Sequence, residues 1–238
     1  MRFSVSAAAL AAATLISLAP TLARAHVSIT SGPGFANTSQ VITFGVGHGC
    51  SGSDTYTVTV DIPAGVMSVR AEDSTFGKAK VTRDAAQNVI SVTWQRTDAD
   101  LIEADDNYYR LSIRAKLPDQ PFTTLYFPTH QTCKKKSDGT VLPVVDWVGM
   151  TEDESHDAGT VEPAPAVAIL PARKSGWNKV TVPIAIAKLD AFFGDALIVW
   201  KGTAAYSANM DTAAQIAATA GVTTLMALAA GDQIWVKY

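Results

Sequence analysis

The chain has 238 residues, of which 47% are hydrophobic and 17% charged, and its formal net charge at pH 7 is −3. A mildly acidic chain has no basic stripe to neutralise phosphates, so nucleic acid is a poor partner. The length allows one large domain, or one domain with a small appendage.

The amino-terminal segment is typical of a secretory signal peptide. Arg2 precedes an apolar run over residues 7–20, and the segment ends in Ala23-Arg24-Ala25. These features predict cleavage after Ala25, and the run is shorter than the roughly 20 apolar residues of a spanning helix. We expect a periplasmic or secreted protein that starts at His26 and has no transmembrane anchor; the alternative is an uncleaved anchor. Cleavage would leave 17 basic and 22 acidic residues, a net charge of −5.

Residues 27–172 read as a series of short strands separated by turn residues such as Pro63-Ala64-Gly65. β-Branched and aromatic residues recur, often with a period of two, in segments 41–46, 55–62, 89–94, 108–117, 123–127 and 144–148. Short strands at this spacing, with no helix between them, predict an all-β fold in which two sheets bury their apolar faces as a β-sandwich.

The composition changes between residues 160 and 176, where prolines indicate an extended connection. Beyond it, segments 180–186, 196–200 and 234–236 are predicted strands, and the Ala-rich segment 210–220 is a predicted helix. We therefore divide the chain into a signal peptide (1–25), a β-sandwich (26–172) and a small C-terminal α+β extension (173–238). An extension of about 65 residues either folds alone or packs on the sandwich.

The chain contains two cysteines, Cys50 and Cys133. In the oxidising compartment that export implies, an even pair usually forms a disulfide. The alternative is that Cys50 and His48 bind a metal. A structural zinc site is excluded, because it needs four ligands and only two sulfurs are present.

His26 has particular chemistry if it is the first residue of the mature chain. Its α-amine, with an ordinary pKa of about 7.7–8.0, and its imidazole Nδ1 can then bind one metal ion as a chelate. Two nitrogen donors suit Cu(II), which prefers nitrogen-rich tetragonal sites. An interior histidine cannot do this because its nitrogen is an amide, so the position of cleavage decides the chemistry.

The other histidines are weaker candidates. We interpret His48 and His130 as loop residues near the disulfide. His156 lies in the acidic run 152–157, which is either a solvated loop or a cation site, and which lacks the ligand spacing and central glycine of a calcium loop.

No catalytic motif is present in the sequence: it has no nucleophile elbow, phosphate-binding glycine loop or His-Glu-x-x-His. Asp105 and Asp106 are adjacent in a predicted loop and do not form an obvious acid–base pair. Trp94 and Trp147 lie in predicted strands and are expected in the core.

Six short motifs resemble, in order, those of the YcnI-like family of exported copper-binding domains, catalogued as a domain of unknown function (DUF1775). They are His26-Val27-Ser28-Ile29, His48-Gly49-Cys50-Ser51-Gly52, Ile62-Pro63-Ala64-Gly65-Val66, Val92-Thr93-Trp94, Gln131-Thr132-Cys133 and Asp146-Trp147. The resemblance extends from His26 to about Ala172.

The resemblance implies an immunoglobulin-like β-sandwich that holds Cu(II) through the amine and imidazole of His26, a single-histidine brace. It also implies that Trp147 lies beside the metal and that Cys50 and Cys133 form the disulfide of the family's cysteine-containing branch.

One motif departs from the family pattern. Where family members carry acidic residues before a Leu-Pro turn, this chain has Tyr109 and Arg110. A carboxylate that completes the site must come from elsewhere, with Asp106 the first choice and Asp105 and Glu103 the alternatives. Arg110 close to the metal would weaken Cu(II) binding by charge repulsion.

Together these features predict a non-enzymatic copper chaperone, buffer or delivery factor. Its expected partners are the copper ion and either another exported copper chaperone or a membrane copper transporter. A metal-free envelope interaction module is the first alternative. A copper-dependent oxidative enzyme is the second, and it would require another histidine from His48, His130 or His156.

Overall fold

Short strands dominate the computed structural model, which describes residues 26–150 and 161–238. The strands before residue 171 are β1 (Val27–Ile29), β2 (Gly34–Phe35), β3 (Ser39–Val46), β4 (Asp54–Asp61), β5 (Met67–Ala71), β6 (Lys78–Arg83), β7 (Val89–Gln95), β8 (Tyr109–Lys116), β9 (Thr123–Tyr126), β10 (Thr129–Lys134), β11 (Val145–Gly149), β12 (Glu162–Pro163) and β13 (Ala166–Leu170). A 3-10 turn (Asp98–Asp100) lies between β7 and β8.

Two sheets form the body of this part of the chain. One has the order β1-β3-β8-β5 and the other the order β12-β11-β10-β4-β7-β6, while β2, β13 and β9 form a smaller third sheet. Phe44 of the first sheet and Val58, Val60 and Trp94 of the second are fully buried in one shared core. Alternating apolar residues from two mainly antiparallel sheets thus pack face to face, as in immunoglobulin-like sandwiches. The predicted all-β sandwich is confirmed.

All six predicted strands of the sandwich are present. Each begins and ends within one residue of the predicted segment, except that β3 begins two residues earlier than predicted. The pattern missed seven strands: β1, β2, β5, β6, β10, β12 and β13. Apart from β13, these strands are two or three residues long or carry few inward apolar residues. In β10, the inward positions are Thr129, Gln131 and Cys133, which are polar or small and buried. The interpretation of His130 as a loop residue is therefore wrong: it lies within β10.

The C-terminal segment, residues 173–238, has a second hydrophobic cluster. Its elements are β14 (Trp177–Thr181), α1 (Asp190–Phe193), β15 (Ile198–Lys201), β16 (Ala204–Tyr206), α2 (Met210–Ala218), β17 (Thr223–Thr224) and β18 (Gln233–Lys237). The strands form one sheet of order β14-β18-β15-β16-β17. The predicted helix and two of the predicted strands are confirmed. The predicted strand 180–186 is wrong beyond Thr181, because Pro183 has no amide hydrogen for a sheet ladder.

The C-terminal segment packs on the sandwich. Phe122, from the loop between β8 and β9, is buried among this segment's hydrophobic residues and contacts the rings of Phe192 and Phe193. The guanidinium of Arg173 lies 4.7 Å from the ring centroid of Phe35 and 4.3 Å from that of Tyr238. Among residues 26–150 and 161–238, no helix is long and apolar enough to cross a membrane.

A buried network, made of the Asp54–Arg96 ion pair of one sheet and Tyr109 of the other, joins the two sheets. Arg96 Nη1 donates to Asp54 Oδ2 at 2.5 Å, and the Tyr109 hydroxyl donates to Asp54 Oδ1 at 2.6 Å. The Asp54 side chain has no solvent exposure and that of Arg96 has 9%. The amide of Ile102 also donates to Asp54, at 3.0 Å. Burial, followed by the hydrogen bond to Asp54, raises the pKa of Tyr109.

We predict that Arg96→Met destabilises the fold by about 3–5 kcal/mol, because it leaves Asp54 as an uncompensated buried charge. Urea denaturation followed by circular dichroism measures the loss. Asp98→Asn is the control, since Asp98 is 68% exposed in its pair with Lys134 and exposed pairs contribute at most about 1 kcal/mol. Equal losses in the two variants would contradict the prediction.

Candidate metal centre

The position of His26 follows from the first strand of the sandwich. Val27 pairs with Val46 of β3, which in turn pairs with Tyr109 of β8. The side chain of Val27 is buried in the core, and His26, one residue earlier, is half-buried at the edge of the sheet. His26 therefore lies near the point where the loop 47–53 begins, after Val46, and where the segment 101–108 ends, before Tyr109.

Trp147 contacts His26 from the opposite sheet. The two ring centroids are 5.4 Å apart and the ring planes make an angle of 53°. Trp147 is buried in the core, as predicted, and is held in β11 by pairing with Thr129. Within the described residues, its buried indole Nε1 has no hydrogen-bond partner. Buried N–H groups usually donate to an acceptor, which here would be an ordered water or a ligand oxygen.

A groove of about 700 Å³ opens beside His26. Its walls come from β1, β9, the segment that joins β12 to β13, and the C-terminal segment, through residues 26–29, Tyr126, residues 163–166 and Lys188. His26 thus faces a space that solvent and small solutes can enter.

Glu162 is a carboxylate residue of this region that no pattern in the sequence indicated. It pairs with Trp147 in the parallel pairing of β11 and β12, and the next residue, Pro163, lines the groove with His26. No local pattern could have indicated this, since the two paired residues are 15 positions apart. Glu162 is half-buried in the structure.

The predicted carboxylate Asp106 lies in the exposed segment before β8. Its neighbour Asp105 approaches His48, with 3.8 Å between Asp105 Oδ2 and His48 Nδ1. In the described part of the chain, Asp106 forms no ion pair or hydrogen bond with His26, and no group of three or more His, Cys, Asp or Glu residues is arranged to hold a metal. The structure therefore brings His26 and Trp147 together without Asp106.

Tyr109 and Arg110 have separate roles. Tyr109 points into the sandwich, where its hydroxyl binds Asp54. Arg110 is exposed, and its guanidinium lies 5.7 Å from the ring centroid of Tyr108. Tyr109 is thus committed to the buried ion pair, and the Arg110 charge faces solvent.

The predicted disulfide between Cys50 and Cys133 is confirmed, with an S–S distance of 2.05 Å. Cys50 is therefore not a thiolate ligand. The bond fixes the loop 47–53 to β10, and a hydrogen bond of 2.9 Å from Gln131 Nε2 to the His48 carbonyl supports the same connection.

His130 is held between two carboxylates on the outer face of its sheet. Its Nδ1 lies 2.6 Å from Asp146 Oδ1, and its Nε2 lies 3.3 Å from Asp61 Oδ2. Partial burial lowers the pKa of His130, but the hydrogen bonds to Asp146 and Asp61 outweigh it, so the net effect is a raised pKa. His156 and the acidic run around it lie outside the described residues.

Comparison with known proteins identifies the family. The model of a family described as a domain of unknown function (DUF1775) matches residues 26–169. The chain belongs to the DUF1775 family. This confirms the family predicted from the motifs. The DUF1775 match begins at His26 and includes Trp147 and both cysteines, whereas the C-terminal segment lies beyond it.

Two solved structures are similar to this DUF1775 protein. One is an uncharacterized protein from Nocardia farcinica, described as having an immunoglobulin-like fold; it is 25% identical, with a TM-score of 0.49, over 61% of this chain and 98% of that one. The other is a variant of BcpA, the major pilin subunit of Bacillus cereus; it is 10% identical, with a TM-score of 0.34, over 66% of this chain and 42% of that one. No curated protein matches this chain.

We predict that His130 stabilises this DUF1775 protein more in acid than in base. A histidine whose pKa is higher in the folded than in the unfolded state adds to the free energy of unfolding. This added stability is complete below the unfolded pKa of about 6.5 and is lost as the pH rises through the folded pKa. His130→Gln should cost about 0.5 kcal/mol at pH 5.5, a value typical of a partly exposed pair, and less at pH 8.5. Urea denaturation at both pH values measures this. In an Asp61→Asn, Asp146→Asn background the difference should vanish; if it persists, another group is responsible.

Proposed function

We propose that this DUF1775 protein binds Cu(II) at His26 and acts outside the cytoplasm as a copper chaperone, buffer or delivery factor. The observation that carries the proposal is the contact between His26, the residue after the predicted cleavage site, and the buried ring of Trp147. Binding, rather than catalysis, is the proposed role. Its partners would be the copper ion and either another exported copper chaperone or a membrane copper transporter.

The donor atoms at His26 suit copper. Cleavage after Ala25 converts the His26 nitrogen from a peptide amide into an amine, which joins Nδ1 as a second donor. Cu(II) stands at the top of the divalent affinity order for nitrogen ligands. The groove beside His26 leaves room for the remaining ligands, such as water.

The surroundings of His26 favour a cation. Glu162 is paired with Trp147, the residue against which the His26 ring packs. A carboxylate at this place would offset part of the charge of a divalent ion. We propose Glu162 as the completing carboxylate, with Asp106 as the alternative from the sequence.

The disulfide supports a location outside the cytoplasm. Cysteine pairs persist as disulfides in oxidising compartments and are usually reduced in the cytosol. The Cys50–Cys133 bond therefore agrees with export by the predicted signal peptide to the periplasm or the medium.

The oxidative enzyme has less support than the binding protein. It would need a second histidine at the copper site, and both ring nitrogens of His130 are engaged by carboxylates on the outer face of the sheet. The DUF1775 description assigns no activity to the family.

We expect the exported chain, cleaved by its own signal peptide, to bind one Cu(II) ion tightly and to lose Trp147 fluorescence on binding. A short Gly-Ser extension before His26 should abolish tight binding, because it moves the amine away but keeps the imidazole. Titration calorimetry with a competing chelator measures the affinity, and mass spectrometry establishes the first residue. His130→Ala is the control and should bind as the wild type does. Unchanged affinity in the extended chain would refute the proposed amine ligand.

Glu162→Gln and Asp106→Asn form a matched pair, since each removes one negative charge and keeps the shape. We expect Glu162→Gln to weaken Cu(II) binding about tenfold or more, in the range of supporting groups at metal sites. Asp106→Asn should change it little. The reverse order would assign the carboxylate to Asp106, and no effect in either variant would mean that neither supports the ion.

A further inference from the structure

The C-terminal sheet has one buried face and one exposed face. Val199, Ile234 and Val236 point into the second hydrophobic cluster and are fully buried. On the opposite face, Trp177 is 51% exposed and Trp235 is 49% exposed. Large apolar side chains gathered on a surface are typical of interaction sites, whereas scattered ones are ordinary.

Strand register brings the tryptophans of this face together. Trp235 of β18 pairs with Trp200 of β15, and Trp177 of β14 lies diagonally across from Trp235. Directly paired residues have Cβ atoms about 5 Å apart and diagonal neighbours about 7–8 Å, so the rings can form one surface. The three indoles alone line a shallow groove of about 420 Å³. We call Trp177, Trp200 and Trp235 the tryptophan platform.

Two lysines alternate with the tryptophans. Lys179 pairs with Trp235, and Lys237 pairs with Trp177, whose ring centroid is 5.8 Å from Lys237 Nζ. Within residues 26–150 and 161–238, neither lysine forms an ion pair with an acidic side chain. Their charges remain available to a ligand, in contrast to that of Lys201, which lies 2.5 Å from Asp232.

Polar groups continue the platform along the same face. Thr181 and Gln233 pair with each other two residues beyond Lys179 and Trp235, and both are exposed. In the described structure the face therefore offers flat aromatic surfaces, two cationic groups and hydrogen-bonding side chains. No acidic residue occurs in β14, β15 or β18.

We propose that the tryptophan platform binds an acidic polysaccharide, a chain of pyranose rings that carry carboxylates. The C–H bonds on one face of a pyranose ring pack against an indole, while its hydroxyl groups remain at the edge for Thr181 and Gln233. The ring carboxylates pair with Lys179 and Lys237. Three indoles provide successive contacts along one chain, which favours a polymer over a single sugar.

The small positive charge of the platform favours an acidic polysaccharide over nucleic acid and over an anionic membrane. Binding to nucleic acid depends on many phosphate contacts and a broad basic surface, and the platform has two lysines in a chain of net charge −3. Anionic membranes are recognised by clusters of about 4–8 basic residues. The site is separate from His26, so it does not depend on the proposed copper function.

The test uses the full exported chain with polygalacturonate and alginate, two polyuronates with different linkages. Calorimetry and tryptophan fluorescence measure binding, and methyl-esterified polygalacturonate is the matched probe that keeps the rings and removes most of the charge. We expect binding to at least one polyuronate, weaker binding to the esterified polymer, and weaker binding as salt increases.

Two double variants separate the aromatic and charge contributions. The variant that combines Trp177→Ala and Trp235→Ala should have at least tenfold lower affinity for the polyuronate that the wild type binds. Lys179→Gln with Lys237→Gln should lower it to the value for the esterified polymer and remove the salt dependence. Met210→Ala is the control, because Met210 is 84% exposed in the same segment and lies on α2 instead of the platform. Circular dichroism establishes that each variant is folded, and Cu(II) binding should be unchanged in all.

Several results would overturn the proposal. Absence of binding to both polyuronates, or equal affinity for the esterified polymer, would exclude recognition of an acidic polysaccharide. Tighter binding to a single-stranded oligothymidylate or to anionic phospholipid vesicles would assign the face to another class of partner. A wild-type dimer that becomes a monomer in the double tryptophan variant, without polyuronate binding, would assign it to a second copy of the chain.

Discussion

Burial of Val27 in the sandwich core holds the beginning of the described chain in place. A three-residue strand has few hydrogen bonds, and the apolar side chain in the core adds the stabilisation that keeps β1 against β3. His26 is attached directly to this anchored residue, and its ring therefore meets Trp147 in a defined place. The candidate metal centre therefore depends on this packing.

The sandwich has two further constraints that join its sheets and loops. The Asp54–Arg96–Tyr109 network connects the start of β4 to the start of β8, and the Cys50–Cys133 bond connects the loop 47–53 to β10. Buried charges are costly to separate, and a disulfide restricts the unfolded chain. Both features restrict movement of the loop 47–53, which follows Val46, the residue paired with Val27. The proposed amino-terminal metal ligand would benefit from such support, because chain termini are otherwise poorly ordered.

The tryptophan platform and the candidate metal centre belong to different parts of the molecule. Phe122 packs into the second hydrophobic cluster, and Arg173 stacks on Phe35 and Tyr238, so the C-terminal segment is attached to the sandwich through apolar and cation–π contacts. Lys188 of this segment also lines the groove beside His26. The two proposed sites therefore lie on parts of the chain that are packed together. Binding to an acidic polymer would hold the proposed copper site near that polymer.

The sequence alone determined the β-sandwich, six of the thirteen strands described before residue 171, the family and the disulfide, because these follow from local alternation, short motifs and a pair of cysteines. It also singled out His26 and Trp147 as candidates. It did not reveal β10, whose buried positions are polar, nor the use of Tyr109 by Asp54, since that hydrogen bond spans 55 residues. Only the tertiary structure placed Glu162 beside Trp147 and gathered three tryptophans on one face. Such neighbours are created by pairing between strands that are distant in the sequence, and the local pattern of one strand does not say which distant strand lies beside it.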